Sequence, residues 1–140
     1  LKIVDIVPAA TREELKSEWR LVTEASDDKG NSALAKALSG LMKGEIAGWR
    51  VLFERASIVG PKELPPANRH GIDENNGIWE LIKGNYRVLF FYDEGKVVVC
   101  SHIFRKKRQK TPVREITRAI RLKERYETAI QNGTLTQVKR

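Results

Sequence analysis

The chain has 140 residues, of which 41% are hydrophobic and 31% charged, a composition that suits one globular domain with a sizeable core and excludes overall disorder. Its 26 Lys and Arg exceed its 18 Asp and Glu by eight, and the sequence pI is near 9.8, so a polyanionic partner is expected, nucleic acid before an anionic membrane. No apolar run approaches the ~20 residues that span a bilayer, the opening LKIVDIVPAA lacks a signal-peptide core, and the single cysteine, Cys100, excludes an internal disulfide and fits a reducing cytoplasm.

Thr11-Arg12-Glu13-Glu14 has the form of a capping box ahead of Leu15, Trp19 and Val22, whose spacing predicts a helix from about 11 to 25. Asp27 to Asn31 reads as a turn, after which Ser32 can cap a second helix carrying Leu34, Leu38, Leu41 and Met42 as its apolar stripe. Ile46, Trp49, Leu52 and Phe53 predict a further helix to about 57, weakened by Gly44 and Gly48. Residues 60 to 77 hold Pro61, Pro65, Pro66, Gly71, Gly77 and the polar run Asp73-Glu74-Asn75-Asn76, and read as a long loop containing a solvated His70.

Three strands are then predicted in close succession, 78–82, 86–92 and 96–104. The intervening Lys83-Gly84-Asn85 and Asp93-Glu94-Gly95 are short enough to imply an antiparallel meander. Thr111 as N-cap and Pro112 at the first helical position open a last helix to about Asn132, with Gly133 as its stop and the final seven residues fraying. The expected class is α+β in a single domain: a helical part (1–59), a small antiparallel sheet (78–104) and a C-terminal helix (112–132) closing over it.

The charge is concentrated. Residues 101 to 125 hold ten Lys and Arg against two Glu, while the remainder of the chain balances at sixteen of each sign. Arg105, Lys106, Lys107, Arg108 and Lys110 crowd one connection between a strand and a helix. Arg114, Arg118, Arg121 and Arg125 recur at spacings of four, three and four, on one helical stripe. Such a stripe is either a solvated face or a track for an anion, and its continuity with the basic loop favours phosphate binding. Arg87 is a lone cation in an apolar strand and must reach an edge, a cleft or a carboxylate such as Glu80. His102, just before the basic loop, suits an acid/base role or a packed neutral one. Two separated histidines and one cysteine give no zinc pattern; no Walker A loop, dinucleotide fingerprint or carboxylate cluster occurs, and no metal or cofactor is expected.

The succession Ile78-Trp79-Glu80-Leu81, then Tyr86-Arg87 through Phe91, then His102 through Lys107, then Gln109-Lys110-Thr111-Pro112 with Glu115-Ile116 resembles the HigB-type, phage-derived branch of the RelE toxin superfamily. The resemblance covers residues 78 to 122 well and the first half only in outline. It implies a RelE-like fold and the toxin of a toxin–antitoxin pair: an endoribonuclease that cleaves mRNA, commonly on the ribosome, and is neutralised by a helix-turn-helix (HigA-like) antitoxin. It further implies attack of a ribose 2′-OH on its own 3′-phosphate, with Arg87 binding phosphate or transition-state charge, Lys106 and Lys107 as the basic residues ending the third strand, and Glu80 or His102 as base. The chain departs from that pattern at Ile82, where the family often has arginine, and at Phe90 or Phe91, where the hydroxyl of a tyrosine often found there is lost. Its third helical segment and proline-rich loop are also long for the family. A non-catalytic RNA- or DNA-binding module of the same fold, and a module binding acidic surfaces or proteins, are the alternatives.

Overall fold

Leu21, Val22 and Thr23 are consecutive and all buried. Leu21 packs into one apolar cluster and Val22 into another. An amphipathic helix buries one face only, whereas a strand covered on both sides buries neighbours in opposite directions. In the computed structural model, which describes residues 1–140, the chain accordingly begins with strand β1 (Lys2–Asp5), a short helix α1 (Ala9–Leu15) and strand β2 (Arg20–Glu24). The helix predicted over 11–25 is corrected to a two-turn helix and a strand. Lys16 takes a left-handed conformation, φ 55°, and ends α1. Thr11 lies inside α1 and caps nothing.

Helix α2 (Ala33–Ser39) follows the turn as predicted, with the Ala35 N–H donating to Ser32 Oγ at 3.0 Å. Met42 does not join its stripe. It is exposed and stands at the start of helix α3 (Lys43–Val59), where its N–H donates to the Glu45 carboxylate at 3.0 Å. Within the predicted loop the structure contains strand β3 (Arg69–Asp73), flanked by three single 3₁₀ turns. Its residues are largely polar because β3 is the last strand at one edge of the sheet. The meander is found where it was predicted, as β4 (Ile78–Lys83), β5 (Tyr86–Asp93) and β6 (Val97–Arg105). Helix α4 (Val113–Gln131) ends at Asn132 and Gly133, the latter at φ 67°. The last residues do not fray: β7 (Thr136–Val138) pairs in parallel with β1, and an Arg140 guanidinium N–H group donates to the carbonyls of Asp5 and Ile6 at 3.0 and 3.1 Å.

The seven strands form one sheet in the order β3-β4-β5-β6-β2-β1-β7. Pairing is antiparallel except for β2 with β6 and β1 with β7. The class is mixed α and β, with the helices interspersed among the strands and a strand as the final element, in place of helices first and a helix last. One face carries α2 and α3, whose Leu34, Trp49, Leu52 and Phe53 pack on Leu21, Leu81, Val88, Phe90 and Val98. The other carries α4, whose Ala119, Leu122 and Tyr126 pack on Val22, Ile78, Leu89, Phe91 and Val99. Burying each large side chain stabilises the fold by about 1.5–3 kcal/mol, so the meander, buried on both faces, is the rigid frame for whatever its ends present. No helix is long and apolar enough to cross a membrane.

Candidate active site

On β4 the side chains of Ile78 and Glu80 turn to the α4 face, and across the ladder Leu89 stands opposite Glu80. Arg87, two residues before Leu89 on β5, shares that face and is the diagonal neighbour of Glu80. The expected pairing is present: Arg87 Nε lies 3.8 Å from Glu80 Oε1. The guanidinium also donates through Nη1 to the carbonyls of Gly84 and Tyr86, at 3.0 and 2.9 Å. These contacts hold the arginine against the β4–β5 turn with 16% of its side chain still exposed.

Glu80 is only 2% exposed, and a buried carboxylate needs donors around it. Besides the nearby Arg87, two groups approach it, of which only the first is at hydrogen-bond distance. Thr111 donates its hydroxyl to Oε2 at 3.3 Å, and His70 Nδ1 stands 4.0 Å from Oε1. Both correct the sequence reading. Thr111 does not cap α4, whose N-cap is Pro112 without a side-chain bond; the threonine hydroxyl is used on Glu80 instead. His70 is exposed, as expected of a solvated residue, but it sits on β3 directly opposite Glu80 in the strand register.

His102 is placed by an irregularity in β6. Val88 pairs with Ile103 and Phe90 with Cys100, so Ser101 and His102 together oppose Leu89. This is the two-against-one count of a β-bulge. In a regular strand adjacent side chains diverge; here Ser101 Oγ reaches His102 Nδ1 at 2.8 Å. Nε2 lies 3.1 Å from Glu115 Oε1 on α4. A carboxylate can only accept, so Nε2 carries the proton and Nδ1 accepts from the serine. Burial, and secondarily the charge of Arg118, push the His102 pKa below its ordinary 6.5, against the opposing pull of Glu115. His102 is thus the packed, neutral histidine of the two readings, a latch between β6 and α4.

From β6 the chain runs directly into the basic loop. The Lys106 N–H donates to the Asn85 carbonyl at 2.7 Å, one step beyond the β5–β6 ladder. Arg105, Lys107, Arg108 and Lys110 are exposed and Lys106 is half-buried. None of the five forms an ion pair. On α4, Arg114, Arg118 and Arg121 are likewise exposed and without a carboxylate partner, whereas Arg125 is bound bidentately by Glu24 of β2, with Nη1 to Oε1 at 3.1 Å. The predicted stripe of four is therefore three free cations and one that is taken.

The structure brings Glu80, Arg87, His70 and Thr111 into one cluster, and His102, Ser101, Glu115 and Arg118 into a second. Both are anchored on the first turn of α4 or the residues just before it. His70, Thr111 and Ser101 were missed, because nothing in a polar loop, a capping position or a strand serine signals a carboxylate or imidazole across the sheet. No three side chains of His, Cys, Asp or Glu converge closely enough to hold a metal ion. A cavity of about 340 Å³ lies elsewhere, among β1, α2 and α3, and none of the predicted site residues lines it.

Residues 36–124, from within α2 to the second half of α4, match the family of phage-derived Gp49-like proteins. That span contains every predicted site residue except Arg125. No curated protein matches the chain.

Proposed function

The chain belongs to the family of phage-derived Gp49-like proteins, and on that premise we propose that it is the toxin of a toxin–antitoxin pair, of the HigB-type branch and RelE-like in fold, acting as a metal-independent endoribonuclease on mRNA engaged with the ribosome. One observation carries the reading. The basic loop, with five cations free of carboxylates, ends on Thr111; Thr111 touches Glu80, and Glu80 pairs with Arg87. A phosphate track thus leads to the half-buried Arg87 and its buried partner Glu80.

RNA backbone phosphates lie along the loop and continue over Arg114, Arg118 and Arg121. At the scissile step the ribose 2′-oxygen attacks its own 3′-phosphorus and the 5′-oxygen leaves. Arg87, fixed by two carbonyls and partly exposed, faces the charge that develops on the phosphorane. Lys106 and Lys107 neutralise the phosphate and supply the proton to the leaving oxygen. His102 serves the site by holding α4 on the sheet. The partner that silences the toxin is a helix-turn-helix antitoxin laying an acidic or amphipathic segment over the same cations.

The test is direct. Purified chain added to ribosomes translating a defined mRNA is expected to cut the message in the presence of EDTA. A folded protein that binds RNA but produces no cut supports the second reading, a non-catalytic RNA-binding module. One observation favours that second reading, namely that Glu80 and His102, the two residues proposed as base, are both buried.

A further inference from the structure

The ribonuclease reading leaves a gap that the geometry of β3 fills. Attack by a 2′-OH needs a group that takes its proton, and such a group must reach the sugar. Glu80 and His102 are 2% and 3% exposed. His102 also has both ring nitrogens occupied, by Ser101 and Glu115. Neither can approach a ribose without dismantling the packing of α4.

We infer that His70, whose side chain is 68% exposed and faces the buried Glu80 across the β3–β4 ladder, is the residue that exchanges the proton with the ribose, and that Glu80 is its positioning residue. The inference rests on the ribonuclease reading and deepens it. Three placements support it. His70 and Glu80 are register partners on neighbouring strands, so the backbone itself fixes their separation. The ring nitrogen nearer the carboxylate is Nδ1, at 4.0 Å, which leaves Nε2 turned away from Glu80. Thr111, at the end of the basic loop, touches the other oxygen of the same carboxylate, so the phosphate track and the histidine flank one group.

At 4.0 Å the contact is too long for a hydrogen bond. Catalytic hydrogen bonds often shorten when substrate arrives, and closing by roughly 1 Å completes this one. Glu80 then accepts Nδ1–H and fixes the tautomer whose Nε2 lone pair is free. Nε2 takes the 2′-hydroxyl proton as the 2′-oxygen bonds to phosphorus. The P–O5′ bond breaks, and the 5′-oxygen takes a proton from the Lys106–Lys107 pair. The products are a 2′,3′-cyclic phosphate and a 5′-hydroxyl. Arg87, on the same carboxylate oxygen as His70, holds Glu80 in place.

The experiment compares wild type, His70→Ala, Glu80→Gln and the double variant for cleavage of ribosome-bound message and for RNA affinity. His70→Ala is expected to keep its fold and affinity while the cleavage rate falls roughly 100-fold or more, the usual worth of a general base, with part of the rate restored by added imidazole. Glu80→Gln is expected to slow the wild type clearly more than it slows His70→Ala, since the part of its effect that passes through His70 is gone once His70 is gone and only the part that passes through Arg87 remains. A His70→Ala variant cutting within about threefold of the wild type overturns the assignment while leaving the ribonuclease reading intact. A Glu80→Gln penalty of equal size in both backgrounds overturns the positioning role. Absence of cleavage by the folded wild type overturns the ribonuclease reading and the assignment with it.

Discussion

A histidine enclosed inside a protein beside a like charge resists a second proton, even where a serine and a glutamate hold its two ring nitrogens. His102 is in that position, and its pKa lies below 6.5 because burial and Arg118 oppose the charge. In the unfolded chain the imidazole titrates normally, so below about 6.5 the unfolded state binds a proton that the folded state resists. Stability from this residue is therefore full above that pH and is lost as the pH falls toward the depressed folded value. Urea midpoints measured from pH 7 to 5 are expected to decline, and His102→Gln is expected to remove part of that decline; an identical slope in the variant contradicts the latch. Arg87 has a different signature. Arg87→Ala is expected to lower kcat by about 100-fold or more with little change in KM, because its proposed partner is charge present only in the transition state. The variant also leaves Glu80 without its cation, which costs about 3–5 kcal/mol in a buried pair, so its fold must be verified first. Lys107→Ala is expected to resemble it in kinetics without that cost to the fold.

Among the elements, those read correctly announce themselves locally. β4, β5 and β6 are linked by glycine-containing turns, with Gly84 and Gly95 at φ 58° and 76°, and α4 carries its apolar positions at helical spacing opposite its arginines. β2 escaped because its pairing is with β6, over 70 residues away in sequence and parallel, and no short-range pattern encodes such a partner. Leu15, Trp19 and Val22 met a helical template by coincidence, and tertiary pairing overrode it. β3 and β7 are polar because they are edges, and polar runs between prolines or after a helix read as loop or tail. The same limit hid half of the site: Arg87 and Glu80 were legible as a pair because a short turn joins their strands, while His70 lay on the strand that was not recognised. β7 gives the sharpest test at this scale. Its pairing with β1 predicts that the Val138 amide exchanges with solvent far more slowly than that of a frayed tail. Val138→Asp, which buries a charge against Val4, is expected to destabilise the fold by about 1–3 kcal/mol. Rapid exchange at β7 would contradict the strand.

Across the whole molecule, the excess of eight positive charges is a surface with a direction, running from the basic loop over the first half of α4. RNA affinity should therefore fall steeply with salt. Arg121→Ala is expected to reduce the slope of log affinity against log salt by about one unit, and Arg125→Ala, already neutralised by Glu24, by clearly less. Equal slopes for both variants and the wild type leave the cations as a solvated face. The same surface is where an acidic antitoxin segment would lie, so coexpression with the adjacent open reading frame is expected to relieve growth arrest. The chemistry itself is read most directly from the ends of the cleaved message. Attack by the neighbouring 2′-hydroxyl predicts a 2′,3′-cyclic phosphate, or the 3′-phosphate it opens to, upstream of the cut and a 5′-hydroxyl downstream, with cleavage blocked by a single 2′-deoxy substitution at the scissile nucleotide. A 5′-phosphate on the downstream fragment, or cleavage that tolerates the deoxy sugar, would contradict the account.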